Sequence, residues 1–210
     1  MTTLLLILIA VLSYVIGSVN GAILVSRYVF RKDVRDYGSG NAGLTNFYRV
    51  FGPGKLALVV IVDVVKSVVA ILLGKWLLHF VGASMVGGIF AGFCLMLGHI
   101  YPVFHGFKGG KGVLCGCVVT FMVHWWIGLI CLAVFAVVVL LTRYVSLGSM
   151  CGAIVFAPLA WLSGAGGLEG LLCLFCALLL IFAHRSNIQR LLRHEESRFE
   201  LKNPGKRIES

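Results

Sequence analysis

A glycine-rich polar loop between two long apolar runs carries residue types that bind phosphate. The segment from Tyr37 to Arg49 reads YGSGNAGLTNFYR. Glycine allows backbone conformations that turn successive N–H groups toward one point, and such turns bind anions. Its candidate binding residues are Gly38, Ser39, Gly40, Asn41, Thr45, Asn46 and Arg49. The flexible backbone and the side-chain donors together predict a site for a ligand that carries phosphate.

A second polar region, His99 to Gly112, has two lysines on either side of a glycine pair. It reads HIYPVFHGFKGGKG, and its candidate binding residues are Lys108, Gly109, Gly110 and Lys111. Because an apolar run follows directly, the N–H groups of a helix N-terminus would add to the two ammonium groups. The region is not a nucleotide-binding P-loop, since Lys111 precedes a glycine where that motif has Ser or Thr. It predicts a second anion site without ATP hydrolysis.

The third polar region, His184 to Arg193, follows the last apolar run. At helical spacing His184 and Asn187 face one side, and Arg190 lies near them. The alternative interpretation is a stop-transfer segment that anchors the last helix by its positive charge. The loop that starts at Tyr144 adds two hydroxyl donors, Ser146 and Ser149.

Membrane-spanning helices must position these regions. Of the 210 residues, 60% are hydrophobic and 12% are charged, which is more apolar surface than one soluble core could bury. The first apolar run is not a cleaved signal, because it lacks a basic start and is too long. The apolar runs are Thr3 to Val25, Leu56 to Leu78, Ser84 to Phe104, Val113 to Leu141, Leu147 to Leu162 and Leu168 to Ala183. The composition predicts an all-α integral membrane protein.

The run from Val113 to Leu141 is ambiguous in length. As one helix it would rise about 43 Å, whereas a bilayer core is about 30 Å thick. A turn near His124, Trp125 and Trp126 would place aromatic rings at the interface and divide the run. We therefore predict a bundle of seven transmembrane helices.

The positions of lysine and arginine predict the orientation. The chain has 18 such residues, and all except Lys66 and Lys75 lie within 27–55, within 108–111, at 143 or after 184. By the positive-inside rule these regions are cytoplasmic, the N-terminus is outside and the C-terminus is inside. Residues 1–210 would then form one polytopic domain, with motif loops at 36–52, 99–112, 143–149 and 184–196 converging on one membrane face.

Charge and cysteine content argue against several function classes. The net charge of +10 follows from topology and attracts anionic lipid headgroups, and no basic soluble domain exists to bind nucleic acid. The seven cysteines lie in apolar runs, where cysteine packs as a small hydrophobe. Cys173 and Cys176 lack a second pair to complete a zinc site. We therefore expect no metal, no cofactor and no nucleic-acid partner.

Asp63 and Lys66 are three residues apart inside the second apolar run, so they can pair on one helix face. Ionisable groups at membrane depth usually face a bundle interior or a cavity. We interpret them as a structural ion pair that keeps the site in shape. Direct chemistry and a proton or ion pathway stay open as alternatives.

Taken together, the segments GSGNAGLTNFYR, GHIYPVFHGFKGGKG and HRSNIQRLLRHEE resemble the three cytoplasmic motifs of the bacterial membrane-integral glycerol-3-phosphate acyltransferases that use acyl phosphate. The resemblance covers essentially the whole chain in order, including the D-x-x-K pair and the Y-V-S-L-G-S loop. The chain departs from the family pattern at Leu44, at Leu114 and Cys115, and at His194, where the family usually has glycine. We expect these departures to affect packing and acyl-chain preference rather than activity.

The resemblance implies transfer of a fatty acyl group from acyl phosphate to sn-glycerol 3-phosphate at the cytoplasmic side of a bacterial plasma membrane. The products would be 1-acyl-sn-glycerol 3-phosphate and phosphate, in the first acylation of phospholipid synthesis. We take Ser39, Arg49, Lys111, His184 and Asn187 as the catalytic residues and the others named above as substrate-binding residues. Two candidates for the general base stay open, His184 and a substrate phosphate oxygen. Transfer through an acylated Ser39 is a weaker alternative to direct transfer. Acyl-chain preference, kinetic order and oligomeric state are not predicted, although a monomer is compatible with the sequence.

A transporter of small anions or phosphate esters is the alternative from another class, because the same loops could bind anions at the mouth of a pore. Transporters are commonly built from internal repeats. The three polar regions differ from one another and recur at no fixed period. An acyl-transfer assay with purified protein and radiolabelled glycerol 3-phosphate separates the two classes, since a transporter forms no acylated product.

Labelling of engineered cysteines from outside the cell tests the orientation. We expect labelling near Ser84 and Gly166 but none near Gly38, Gly110 or Asn203, because the cationic regions mark the cytoplasmic face. Modification by a membrane-impermeant maleimide is measured before and after permeabilisation. Outside labelling of the Gly110 loop would contradict a single shared site, since loops on opposite faces cannot bind one ligand.

Overall fold

The computed structural model describes residues 1–199, and the regular structure within them is helical. Asn203, used above to test orientation, lies outside the described residues. Across residues 1–199 the α-helices are α1 Thr2–Gly17, α2 Gly21–Val29, α3 Leu44–Phe51, α4 Leu56–His79, α5 Ser84–Ile100, α6 Val113–Val123, α7 Trp125–Thr142, α8 Val145–Leu162, α9 Gly167–Ala183 and α10 Arg185–Leu192.

The protein is an all-helical membrane protein with five or six candidate spans among its described residues. Five segments are long and apolar enough to cross a bilayer, and α9 with α10 is a sixth if this pair, bent by 54°, is counted as one. α6 has 11 residues, or about 16 Å of helix against a bilayer core of about 30 Å. The predicted all-α membrane class is confirmed, whereas the count of seven helices and the orientation of the termini stay predictions.

The run 113–141 is divided as predicted. His124 has extended backbone angles (φ −155°, ψ 129°) between α6 and α7. Lys75 of α4 supports the break, because its Nζ donates a 3.1 Å hydrogen bond to the carbonyl of Met122 near the end of α6. A charged side chain thus pairs with a carbonyl that the helix end leaves free.

The first apolar run lies in one candidate span, Thr2–Val29, as predicted, but the span is not one continuous helix. α1 ends at Gly17 and α2 begins at Gly21. Asn20 caps α2, since its side-chain oxygen accepts a 3.0 Å hydrogen bond from the Ile23 N–H. An asparagine inside an apolar run is the sequence signal of this break.

An ion pair on α4 occupies the break between α1 and α2. Lys66 Nζ lies 2.8 Å from Asp63 Oδ1, so the predicted pair is present. Lys66 Nζ also donates to the carbonyls of Gly17 at 3.2 Å and Val19 at 2.5 Å. Asp63 Oδ1 accepts from the Gly21 N–H at 3.1 Å. Since unpaired backbone groups are costly at membrane depth, the pair makes the break possible.

α5 lies at the centre of the bundle and packs against both α1 and α4. α4 and α5 approach closely where Gly74 faces Gly87, because a Cβ on either glycine would overlap the carbonyl of the other. Small residues allow such close helix contacts in membranes. This contact fixes α5, and the second motif loop follows directly from its end.

The helices bring the motif loops together at one end, as the sequence predicts. The Ala42 N–H donates to the Gly109 carbonyl at 3.3 Å, which joins the first two loops. The Asn20 amide donates to the Ala42 carbonyl at 3.1 Å. Lys111 Nζ donates to Asn187 Oδ1, which joins the second region to the third. The motif loops therefore meet in the structure, whereas the membrane face on which they lie stays a prediction.

Replacing Asp63 by Asn tests whether the ion pair holds the bundle together. The change leaves the Lys66 ammonium buried without its counter-charge, and breaking a buried pair typically costs about 3–5 kcal/mol. We expect Asp63→Asn to lower the thermal unfolding temperature and the yield in detergent. The control is Asp36→Asn at an exposed carboxylate, which should change the free energy of unfolding by less than about 0.5 kcal/mol. A stable but inactive Asp63→Asn protein would show that the pair contributes to activity beyond holding the bundle together.

Candidate active site

Two neighbouring cavities lie where the motif loops meet, one of about 710 Å³ and one of about 290 Å³. Every site residue predicted from the sequence lines at least one of them. The larger cavity is lined by Gly38, Thr45, Asn46, Arg49, Ser146, Ser149, His184 and Asn187. The smaller cavity is lined by Gly40, Lys108, Gly109 and Gly110. The residues that line both, and so form their boundary, are Ser39, Asn41, Lys111 and Arg190.

Asn46 shapes the first motif loop from within. Its buried side-chain oxygen accepts a 2.9 Å hydrogen bond from the Ser39 N–H. Its amide donates to the carbonyls of Val34 and Tyr37, both at 3.1 Å. Gly38 has φ +62°, and a Cβ there would overlap Asn46 Oδ1. The side chain of Asn46 therefore serves the loop backbone, although the residue also lines the cavity.

The structure corrects the expectation that the loop amides point at a common ligand. The N–H groups of residues 39, 40, 109 and 110 donate within the protein, to Asn46 Oδ1 and to the carbonyls of Tyr37, Ile100 and His99 respectively. The glycines permit these close backbone contacts instead. N–H donors come to the larger cavity from the start of α6, where Val113 and Leu114 line it. Such N–H groups have no partner within their own helix.

Arg35 holds the lysine loop against the first motif. Its Nη1 donates to the carbonyls of His105 at 2.7 Å and Lys108 at 3.0 Å. Its Nε and Nη2 donate to the two oxygens of Asp33 at 3.0 and 2.8 Å. The hydrogen bond from Arg35 keeps the pKa of Asp33 far below its usual range, although burial acts to raise it. The pair is a charged strut between the two loops.

Lys111 lies at the boundary of the two cavities and donates to Asn187 Oδ1. Burial, followed by the positive charge of Arg190, lowers the pKa of Lys111 to about 8. Lys111 is therefore a cation at neutral pH, and it loses its proton only slightly above that.

Glu196 is a site residue that the sequence analysis missed. Its Oε1 accepts from Ser146 Oγ at 2.7 Å and from Asn187 Nδ2 at 2.6 Å, and its Oε2 pairs with Arg190 Nε at 2.7 Å. Burial acts to raise the pKa of Glu196, but the hydrogen bonds from these three residues outweigh it and lower the pKa. A sequence signal existed in the two glutamates, Glu195 and Glu196, that lie just after the third polar region.

His184 lies buried at the bend between α9 and α10 and lines the larger cavity. Its Nδ1 is 2.8 Å from the Leu180 carbonyl. A carbonyl can only accept, so Nδ1 carries the proton and donates. Nε2 of the neutral ring then holds a lone pair that can accept a hydrogen bond.

The residues after α10 fold back over the larger cavity. Arg49 donates to Ser197 Oγ at 3.2 Å, and the ring of Tyr48 lies 5.5 Å from that of Phe199. The Phe199 N–H donates to the Arg143 carbonyl at 2.7 Å. Ser197 and Phe199, like Glu196, line the cavity but were not predicted from the sequence.

The larger cavity continues from the polar loops into the helix bundle. The part of its apolar lining that lies inside the bundle comes from α6 to α9 together with Met96 of α5, and it includes Leu132, Phe135, Phe156 and Leu180. Phe156 lies about 16 Å along α8 from its start, at 1.5 Å of rise per residue. The cavity thus has cationic groups at one end and an apolar channel at the other.

Known proteins are similar to this chain in sequence and in fold. The sequence profile of the family described as glycerol-3-phosphate acyltransferase matches residues 7–194. A glycerol-3-phosphate acyltransferase from Thermoanaerobacter pseudethanolicus is 42% identical over 192 residues, which are 91% of this chain and 94% of that relative. Among solved structures, PlsY (YgiH), an integral membrane glycerol 3-phosphate acyltransferase, is similar in its glycerol 3-phosphate form with a TM-score of 0.83 and 31% identity, over 93% of this chain and 96% of that one. Its lysophosphatidic acid form gives a TM-score of 0.81 and 30% identity, over 93% and 95% of the two chains. The chain therefore belongs to the glycerol-3-phosphate acyltransferase family.

Proposed function

We propose that the protein transfers a fatty acyl group from acyl phosphate to sn-glycerol 3-phosphate. The products are 1-acyl-sn-glycerol 3-phosphate and inorganic phosphate, and the reaction is the first acylation of phospholipid synthesis. The activity named for the relatives, and the glycerol 3-phosphate and lysophosphatidic acid forms of PlsY, support glycerol 3-phosphate as the acceptor. They do not favour the transporter alternative.

The observation that carries the proposal is one cavity that joins a cationic end to an apolar channel. Acyl phosphate has both features, since a phosphate group is attached to a fatty chain. Lys111 and Arg49 suit the phosphate, and the channel beside Phe135 and Phe156 suits the chain. The smaller polar cavity shares the boundary residues and offers glycerol 3-phosphate a route from the aqueous side.

The reaction is a direct substitution at the acyl carbon. The glycerol hydroxyl oxygen forms a bond to that carbon, and the bond from the carbon to the phosphate oxygen breaks, so phosphate leaves with the electron pair. Arg49 and Lys111 stabilise the charge on the phosphate and on the acyl oxygen, and the Ser39 hydroxyl donates a further hydrogen bond. Acyl phosphate is already activated, so positioning and electrostatics suffice without an acylated Ser39.

The proton of the attacking hydroxyl needs an acceptor. His184 offers the Nε2 lone pair, because its Nδ1 is committed to the Leu180 carbonyl. A phosphate oxygen of the substrate is the second candidate, and with either acceptor the proton ends on the released phosphate or the solvent. Asn187 lies three residues from His184 and orients Lys111 and the acceptor substrate in the same part of the cavity.

The membrane setting of the proposal is the bacterial plasma membrane with the site on the cytoplasmic side. In this arrangement α6 also crosses the membrane, although it is short, which brings the number of crossings to seven. The N-terminus is then outside and the C-terminus inside. The support is that all lysines and arginines except Lys66 and Lys75 lie in the regions predicted to be cytoplasmic. A monomer with acyl phosphate, glycerol 3-phosphate and membrane lipids as its partners is sufficient for the reaction.

Variants at Lys111 test the phosphate contact. Loss of one contact to a developing oxyanion typically lowers the rate by about 10² to 10³, so we expect this loss for Lys111→Ala and for Arg49→Ala. The wild-type rate should also fall as the pH rises through about 8, because deprotonation removes the positive charge of Lys111. Rates are measured with purified protein between pH 6 and pH 10.

Lys111→Arg is the matched control, because a guanidinium stays protonated across this range. Its activity, even if lower, should lack the alkaline decline. A decline that is unchanged in Lys111→Arg would show that another group titrates. Fully active Arg49→Ala and Lys111→Ala proteins would contradict the assignment of the phosphate site.

The identity of the donor is a further prediction. We expect turnover with acyl phosphate and none with acyl-CoA, because the cationic loops are short and no nucleotide-binding domain is evident in the sequence. We also expect no loss of activity in EDTA, since no group of three or more His, Cys, Asp or Glu side chains within residues 1–199 is arranged to hold a metal ion. Product formation from each donor is measured with radiolabelled glycerol 3-phosphate. Robust turnover with acyl-CoA alone would contradict the predicted donor. A loss of activity in EDTA that magnesium restores would contradict the prediction that no metal is needed.

A further inference from the structure

His99 is a buried histidine that the reaction described above does not use. It lies at the end of α5, directly below the glycine–lysine loop, and the residue is 4% exposed. It lines the larger cavity together with Ser39, Asn41 and Lys111. The residue is therefore both buried in the bundle and adjacent to the predicted phosphate-binding groups.

One ring nitrogen of His99 is fixed by the ion pair on α4. Its Nδ1 lies 2.9 Å from Lys66 Nζ, and the nearer oxygen of Asp63 is 3.7 Å away, beyond hydrogen-bond distance. The three N–H groups of the Lys66 ammonium are shared among His99 Nδ1, Asp63 and the two carbonyls, and the ammonium has no lone pair to accept a proton from Nδ1, so Nδ1 is the unprotonated nitrogen. The neutral ring then carries its proton on Nε2.

The other ring nitrogen faces the cavity and the loop above it. A Cβ on Gly110 would overlap His99 Nε2, so the loop lies over this edge of the ring with no side chain between them. In the part of the chain that the structure describes, the ring's hydrogen bond is made by Nδ1. Within residues 1–199, the side-chain atoms that are fully buried and lack a hydrogen-bond partner are Ser13 Oγ and His105 Nδ1. His99 Nε2 is not one of them, so it is not completely buried. Nε2 thus keeps some accessible surface on a residue that lines the cavity, and its proton is available to a ligand there.

We propose that His99 is a substrate-facing hydrogen-bond donor whose Nε2–H binds an anionic oxygen of a phosphorylated substrate. Lys66 and Asp63 are its positioning residues, because they hold the ring in the tautomer that presents this proton. The proposal rests on the proposed function for the identity of the ligand. A neutral donor strengthens an anion site without adding a further cation to Lys111, Arg49 and Arg190, and donors in a water-poor cavity stabilise developing charge most.

The first test compares two replacements of His99 in full-length protein. His99→Phe keeps a ring of similar size but removes the donor, and we expect it to lower kcat/KM by about 10² to 10³. His99→Gln places an amide N–H near the former Nε2 and should recover part of this loss. The control is His79→Phe at the end of α4, whose exposed side chain lines neither cavity, and its kcat/KM should equal that of the wild type. Equal activity of the wild type and His99→Phe would overturn the proposal.

The second test uses the wild-type protein, so it does not depend on how a variant folds. In protein labelled with ¹⁵N-histidine, His99 should show a protonated Nε2 and an unprotonated Nδ1. Saturation with glycerol 3-phosphate, inorganic phosphate or an acyl phosphonate should shift the Nε2 signal, and the ligand that shifts it identifies the phosphate that His99 binds. A proton on Nδ1, or an Nε2 signal that none of the three ligands moves, would overturn the proposal. Wild-type protein that forms no acylated product would contradict the proposed function instead, and the titration would still report on His99.

Discussion

The buried pair of Asp63 and Lys66 is the interaction on which the rest of the structure depends. A helix that breaks inside a membrane leaves backbone N–H and C=O groups without water, so each of them needs a protein partner. Lys66 binds the carbonyls of Gly17 and Val19, and Asp63 binds the Gly21 N–H. Because each charge also neutralises the other, α4 can supply a cation and an anion to the break without leaving either one isolated.

The break in turn places the loops. After it, the Asn20 amide binds the Ala42 carbonyl, and the Ala42 N–H binds the Gly109 carbonyl, so the start of α2 is linked through the first motif to the second. Arg35 adds a second link between the same two loops at the aqueous surface. The predicted phosphate-binding loops are therefore held on one side by the buried pair on α4 and on the other by the partly buried pair of Arg35 and Asp33. This arrangement lets polar, glycine-rich segments keep one conformation at the edge of a membrane bundle.

The sequence predicted what depends on residue type and failed where the outcome depends on partners across the bundle. Hydropathy located the long helices and the division at His124, because span length and interfacial aromatic rings are local signals. The break after Gly17 was missed, since it is stable only because Asp63 and Lys66, some forty residues later, supply its partners. The direction of the loop N–H groups was also predicted wrongly because it depends on partners within the protein. The acceptor of the Ser39 N–H is Asn46 and not a ligand. Glu196 was missed because a carboxylate after a basic segment is usually solvated, and the hydrogen bonds that make it part of the site come from α8 and α10.

The charges that line the larger cavity suit it to an anion. Arg49, Lys111 and Arg190 contribute three positive charges, and Glu196 contributes one negative charge. The negative charge of Asp63 is already matched by Lys66. The cavity thus keeps a surplus of two positive charges, about enough to balance the negative charge of one phosphate group near neutral pH. Glu196 orders Arg190 and Asn187 through hydrogen bonds and reduces the repulsion among the three cations, but it is too little charge to neutralise them. In the proposed function a phosphorylated substrate supplies the remaining negative charge, so its binding also stabilises the site electrostatically.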